Sequence, residues 1–171
     1  MKQIYNKKYT IKKVILTFIL IITIVLPCFA NWIELETKLY VNSDSIVETR
    51  LSGISDTLIF KEVWAKLLNP GHWELKNGQK IWFSKDYFII DCSSKRLKLI
   101  SISLYNLQGN IIDSHSITNV NAIYDRNSFD IVVPDSYGET IVDFVCSYPV
   151  DYSSRKSVKV DPYIFERPYH Y

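Results

Sequence analysis

Three cysteines, three histidines and a scatter of carboxylates are the residues in this sequence with reactive or ligating chemistry. The cysteines are Cys28, Cys92 and Cys146, and no C-x-x-C pair occurs, so neither a zinc site nor a dithiol redox motif is indicated. Cys28 lies just after an apolar run and is expected to leave with it. Cys92 and Cys146 then remain as an even pair, and in an oxidising compartment they are expected to bond to each other. Two free buried thiols are the alternative. His72, His115 and His170 fall in a loop, a strand and the terminal tail, with no spacing that suggests shared metal ligation. Each reads as a solvated polar residue. Asp91, beside Cys92, has acid chemistry to offer but reads as facing water or anchoring the next turn. No G-x-S-x-G, H-E-x-x-H, P-loop or dinucleotide fingerprint is present. No catalytic, cofactor-binding or metal-ligating residue is assigned, no cofactor is expected, and the chain reads as a non-enzyme.

The compartment follows from residues 1–30. Lys2, Lys7, Lys8, Lys12 and Lys13 make a basic start, and Val14–Leu26 is an apolar run of 13 residues. Pro27-Cys28-Phe29-Ala30 then offers a cleavage site, placed after Ala30. The run is short for a bilayer-spanning helix, which needs roughly 20 residues. An uncleaved anchor and a lipid on Cys28 are the alternatives, the second poorly served by Pro27. Losing five lysines and no acid takes the formal charge from +2 to −3. The basicity of the whole chain is therefore mostly targeting, which argues against a nucleic-acid partner.

The elements that must position these residues read mainly as strands. Asn31–Glu36 alternates apolar and polar side chains with period two, as a half-buried strand does. Leu39–Val41 continues extended, Asn42–Ser45 turns, and Ser45–Leu51 is a second strand before a turn at Ser52–Asp56. Thr57–Leu68 is rich in β-branched and aromatic residues and reads as strand, stopped at Asn69-Pro70-Gly71. Trp73 follows in a polar loop, as a contact residue or a cover for a core edge. Lys80–Phe83 with Lys85–Cys92, Arg96–Leu104 and Ile111–Ile117 form a meander. Within Arg96–Leu104, the even-numbered residues are expected on one face and the odd-numbered on the other. Thr118–Phe129 reads as loop and Asp130–Val133 as a short strand. Ser136 and Glu139 have capping-box spacing, each side chain serving the other's backbone N–H, ahead of a helix ending at Cys146. Ser147–Tyr171 is a tyrosine-rich tail expected to be flexible, with Arg155, Lys156, Lys159 and Arg167 available to a partner or a headgroup surface.

Taken in order, WIEL, LYVNSDSI, VWAKL, YFIIDCSSKRLKLISISLY and GETIVDFVC, between Trp32 and Cys146, resemble the bacterial surface-adhesin E family. The resemblance implies an α+β fold, an antiparallel sheet of about five to six strands with a C-terminal helix tethered by Cys92–Cys146. It implies a small exported protein of a Gram-negative envelope, in the periplasm or on the cell surface. It also brings adhesion to host extracellular-matrix or serum proteins as a function, with a protein partner. A periplasmic structural or inhibitory protein acting on an envelope partner is the alternative. No partner-binding residue carries over, and the oligomeric state, a homodimer included, is left open.

Overall fold

The computed structural model describes residues 30–52 and 58–159. The expected signal segment, most of the Ser52–Asp56 turn and the end of the tail, with His170, lie outside the described residues. Among the described residues nine strands form one sheet. They are β1 (Trp32–Glu36), β2 (Leu39–Asn42), β3 (Val47–Ser52), β4 (Ile59–Glu74), β5 (Lys80–Asp91), β6 (Arg96–Tyr105), β7 (Ile111–Ser116), β8 (Asp130–Ile131) and β9 (Arg155–Lys159). Two α-helices, α1 (Val120–Tyr124) and α2 (Tyr137–Ser147), accompany them. The expected α+β fold of five to six strands is thereby corrected to a mainly antiparallel sheet of nine, with one substantial helix.

The extra strands have a physical origin. At 16 residues, β4 is long enough to take two partners along one edge, β2 against Val41↔Ala65 and β3 against Val47↔Glu62. The two-residue β8 and the basic β9 carry no apolar alternation of their own. They are recruited by the free backbone of a neighbour, β8 by β6 and β9, in parallel, by β3. Within the segment read from the sequence as a tail, Arg155–Lys159 pairs with β3 in the sheet. Its cations are also engaged: Arg155 pairs with Glu48, and Lys156 with Glu62.

Two irregularities break the simple alternation. β4 runs through Asn69-Pro70-Gly71 instead of stopping, because the β4–β5 register shifts between Leu68 and Trp73. Proline, with no N–H to give the ladder, is tolerated at such a bulge, and Gly71 supplies the left-handed φ of 73°. On β6 the pairing slips where Tyr87 faces Ser101 but Phe88 faces Leu99. Ile100 is the extra residue, and the slip exchanges faces. Lys98 therefore lies on one side of the sheet, and Ile102, opposite Asp86, on the other.

The sheet buries both of its faces, at different places. On one, Leu39, Val41, Val63, Ala65 and Ile90 receive Ile141, Val142 and Val145 of α2. Each fully buried aliphatic side chain there stabilises the fold by about 1.5–3 kcal/mol. On the other, Phe60, Ile89 and Ile100 are capped by Tyr124 and Phe129 from the segment containing α1. Helix α2 starts where Ser136 Oγ accepts the Glu139 N–H at 3.3 Å. The reciprocal half of the capping box is displaced by one residue, the Glu139 carboxylate accepting from the N–H of Asp135 at 2.8 Å. The far end is held twice. A disulfide joins Cys92 to Cys146, with an S–S length of 2.07 Å. Lys61 Nζ donates to the carbonyls of Val145 (2.9 Å), Cys146 (3.2 Å) and Tyr148 (2.6 Å). A cation at that end also complements the helix dipole.

Candidate functional site: an open face of aromatic rings and lysines

The sheet surface beyond the Phe60–Tyr124 cap is packed by neither described helix, since α2 lies on the opposite face and α1 at the cap. Residues paired across strands point to the same side, so the register defines what this surface presents. One row crosses β2, β4, β5 and β6 as Tyr40, Lys66, Lys85 and Ser103. Trp64 and Tyr87 flank it on one side, with ring centroids 4.9 Å apart. Phe83 and Tyr105 flank it on the other, stacked at 4.5 Å. All these aromatic residues and both lysines are half-buried.

Lys66 and Lys85 are direct cross-strand partners. Like charges placed opposite each other destabilise a sheet. The rings moderate this repulsion: Lys66 Nζ lies 4.7 Å from the centroid of Tyr40 and 5.3 Å from that of Trp32, and Lys85 Nζ lies 5.3 Å from that of Tyr105. Each such contact contributes about 0.5–1 kcal/mol near a surface. Neither lysine has an ion pair with a carboxylate among the described residues. The nearest acid on the row, Glu34, instead accepts the Tyr40 hydroxyl at 3.1 Å, and that bond raises the Tyr40 pKa. Beside the β4 register shift, Leu68 and Phe83 join Lys38, Trp82 and Leu107 around an apolar recess of about 320 Å³.

The residues singled out from the sequence are not brought together. Asp91 is 3% exposed. One of its oxygens accepts from Ser93 and Ser94, and the other takes the Arg126 guanidinium through Nε at 3.0 Å and Nη2 at 2.6 Å. Burial pushes its pKa up, but these donors and the Arg126 charge hold it below the usual carboxylate value. Asp91 thus anchors the turn and does not face water. His72 and His115 are exposed, on β4 and β7, and Trp73, 55% exposed, stands at the end of β4. Among the described residues no cluster of His, Cys, Asp or Glu has the arrangement of a metal site. The lysine and aromatic rows were not singled out from sequence. Their signal was the period-two spacing Trp64-x-Lys66-x-Leu68 and Phe83-x-Lys85-x-Tyr87, which puts each set on one face.

Two titratable groups do sit out of the ordinary. Glu62, 4% exposed, is surrounded by donors from four elements and is taken up in the Discussion. Asp86 lies on the α2 side, in register between Ala65 and Ile102. Its Oδ2 accepts from Ser84 Oγ at 3.1 Å, while its buried Oδ1 has no hydrogen-bond partner among the described residues. Burial raises its pKa to about 6, against the opposing pull of Ser84. A raised folded-state pKa means that stability is fully present below the unfolded value of 3.8 and is lost as pH rises through about 6. Asp86→Asn is expected to be more stable than the wild type at pH 7.5 by about 1–3 kcal/mol. The gap should close by pH 4, read from urea midpoints at both values. An unchanged gap would show that the charge of Asp86 is not what costs stability.

The fold and this surface define a class: a disulfide-tethered, mainly antiparallel sheet protein with one sheet face of aromatic rings and lysines that the described helices do not cover. Among solved structures, the chain is similar to protein E from non-typeable Haemophilus influenzae, with a TM-score of 0.42, 14% identity, and coverage of 71% of this chain and 79% of that one. No family model and no curated protein matches. The surface-adhesin E likeness noted above therefore stays a resemblance, and the reading that follows stands on the face itself.

Proposed function

We propose that this chain is an exported, non-enzymatic binding protein of the bacterial envelope, and that it holds its partner on the Lys66–Lys85 face. One observation carries the reading. Two lysines are set directly opposite one another between aromatic pairs, with no carboxylate among the described residues paired to them, on a surface that the described helices leave open. Like charges opposite each other cost the fold stability that the ring contacts only partly return, whereas aromatic rings at a surface are what a binding site uses, with the ammoniums left to meet an anionic partner. A disulfide tether agrees with export. No described helix is long and apolar enough to cross a membrane. On the cell surface the partner would be a host matrix or serum component. The alternative, a periplasmic protein acting on an envelope partner, uses the same face.

Site-specific photocrosslinking in the parent bacterium tests the face without knowledge of the ligand. A crosslinker at Ser103 is expected to trap a partner, and one at Asp143, exposed on α2, is not. Equal adducts from both positions, or adducts from Asp143 alone, would move the binding site off this face. Protease treatment of intact cells separates the two locations: digestion marks a surface protein, and protection together with a Ser103 adduct marks a periplasmic one.

A further inference from the structure

We infer that the occupant of the Lys66–Lys85 face is an anionic saccharide chain whose sulfate or carboxylate groups are taken by the two ammoniums; this rests on the binding reading above. The charge complementarity is local and specific. Lys66 and Lys85 are cross-strand partners, and among the described residues neither is satisfied by an acid. Lys66 Nζ leans toward Tyr40 and Trp32 and Lys85 Nζ toward Tyr105, so an acidic group at each ammonium replaces repulsion with a charge-assisted hydrogen bond. Two ammoniums call for two spaced acidic groups, not a continuous run of them. A polyphosphate strand relies on many neutralised phosphates for its affinity, which two lysines do not provide.

The flanks select the body of the ligand. Trp64 with Tyr87, and Phe83 with Tyr105, place apolar ring surface on both sides of the cationic row. The C–H face of a sugar ring packs on such a surface while its acidic substituent reaches the row. The Ser103 hydroxyl on β6 serves sugar hydroxyls, and on β2 the Tyr40 oxygen, whose proton is given to Glu34, accepts from them. Crossing four strands, the row is about 14 Å long at the usual strand spacing, room for two or three sugar units.

The same geometry disfavours an acidic peptide. Here β4 and β5 are hydrogen-bonded to neighbours on both sides, and so is β6. No backbone donor or acceptor faces the ligand, so an extended peptide cannot add as a strand and would leave its own amides unpaired.

The test uses the full mature chain and three probes of similar size: a heparin oligosaccharide, a hyaluronan oligosaccharide and a neutral dextran. Poly-glutamate serves as the peptide comparison. Calorimetry is expected to show binding to the sulfated or the carboxylated saccharide and none to dextran, and the two acidic arms tell which anion is preferred. Lys66→Gln with Lys85→Gln is expected to weaken that binding by about tenfold or more, the worth of two charge-assisted contacts. Lys66→Arg with Lys85→Arg is expected to restore most of it, and thermal melts of both variants check that the fold is intact. Failure to bind either acidic saccharide, equal binding by the glutamine variant, or tighter binding of poly-glutamate would each overturn the saccharide. If Ser103 still crosslinks a partner in cells, only the saccharide falls and the binding face stands. If it does not, both fall.

Discussion

Replacing Cys92 and Cys146 together with serine is expected to lower the unfolding free energy by about 4 kcal/mol, the chain-entropy value for a loop of this size. The bond spans 54 residues and joins the end of β5 to the last turn of α2. Such a loss is a large part of the 5–15 kcal/mol that a domain of this kind holds in total. It falls on the unfolded chain, which regains the freedom the tether removed, so the native sheet should survive. Val142 and Val145 remain buried against β4 and β5, and Lys61 still caps the carbonyls at the end of α2. Far-UV circular dichroism is therefore expected to be unchanged under native conditions while the urea midpoint falls. The loss should be nearly the same at pH 5 and pH 8, because no proton is exchanged. A midpoint shift worth less than about 1 kcal/mol would show that the unfolded chain is already restrained near this loop.

The disulfide was legible from the even pair of cysteines left beyond residues 1–30, and the elements beside it because each rests on local chemistry. Ser136 before an apolar run marks the start of α2, and period two marks β1. What escaped the sequence depends on partners distant in the chain. Proline at position 70 is a stop signal when read locally. Only the register shift against β5 reveals that β4 continues past it. Lys98 alternates with apolar residues like any surface lysine, yet it is 7% exposed. Its ammonium donates to the Ala122 carbonyl and the Ser128 hydroxyl and lies 5.8 Å from the Phe129 ring centroid. Burial accordingly pulls its pKa down, partly offset by Asp125 and Asp130. The binding face was half legible. Each strand shows its own lysine and rings, but the pairing of Lys66 with Lys85 is a fact of register, and two separate strands do not state their register in sequence.

Glu62 concentrates the same dependence on distant residues into one carboxylate, and its removal is the second large effect. Its oxygens accept from Thr49 on β3 and Tyr87 on β5, from the Tyr124 hydroxyl on α1 at 3.0 Å, and from Lys156 Nζ on β9 at 3.0 Å. One side chain thus ties four other elements to β4. Glu62→Ala is expected to cost about 3–5 kcal/mol, because three hydroxyls lose their acceptor in a buried place and a cavity opens among them. Glu62→Gln keeps the shape but turns an amide donor toward donors, and about 1–3 kcal/mol is expected. The pH dependence identifies the cause. Burial pushes the Glu62 pKa up, but the donors from Thr49, Tyr87 and Lys156, with the charge of Lys156, outweigh it and hold the carboxyl below its ordinary 4.5. A depressed folded-state value means that the contribution is present above the unfolded pKa and is lost as pH falls through the folded one. The gap between wild type and Glu62→Gln should therefore be full at pH 7 and shrink below pH 4.5. On the alkaline side, burial and the neighbouring Glu62 raise the pKa of both Tyr87 and Tyr124. Their neutral forms are favoured in the fold, so their share of stability holds below pH 10 and declines as pH climbs beyond it. Urea unfolding of both proteins at pH 3, 7 and 10.5 measures this. A gap that is the same at pH 3 and pH 7 would assign the loss to shape alone and remove the carboxylate's charge from the account.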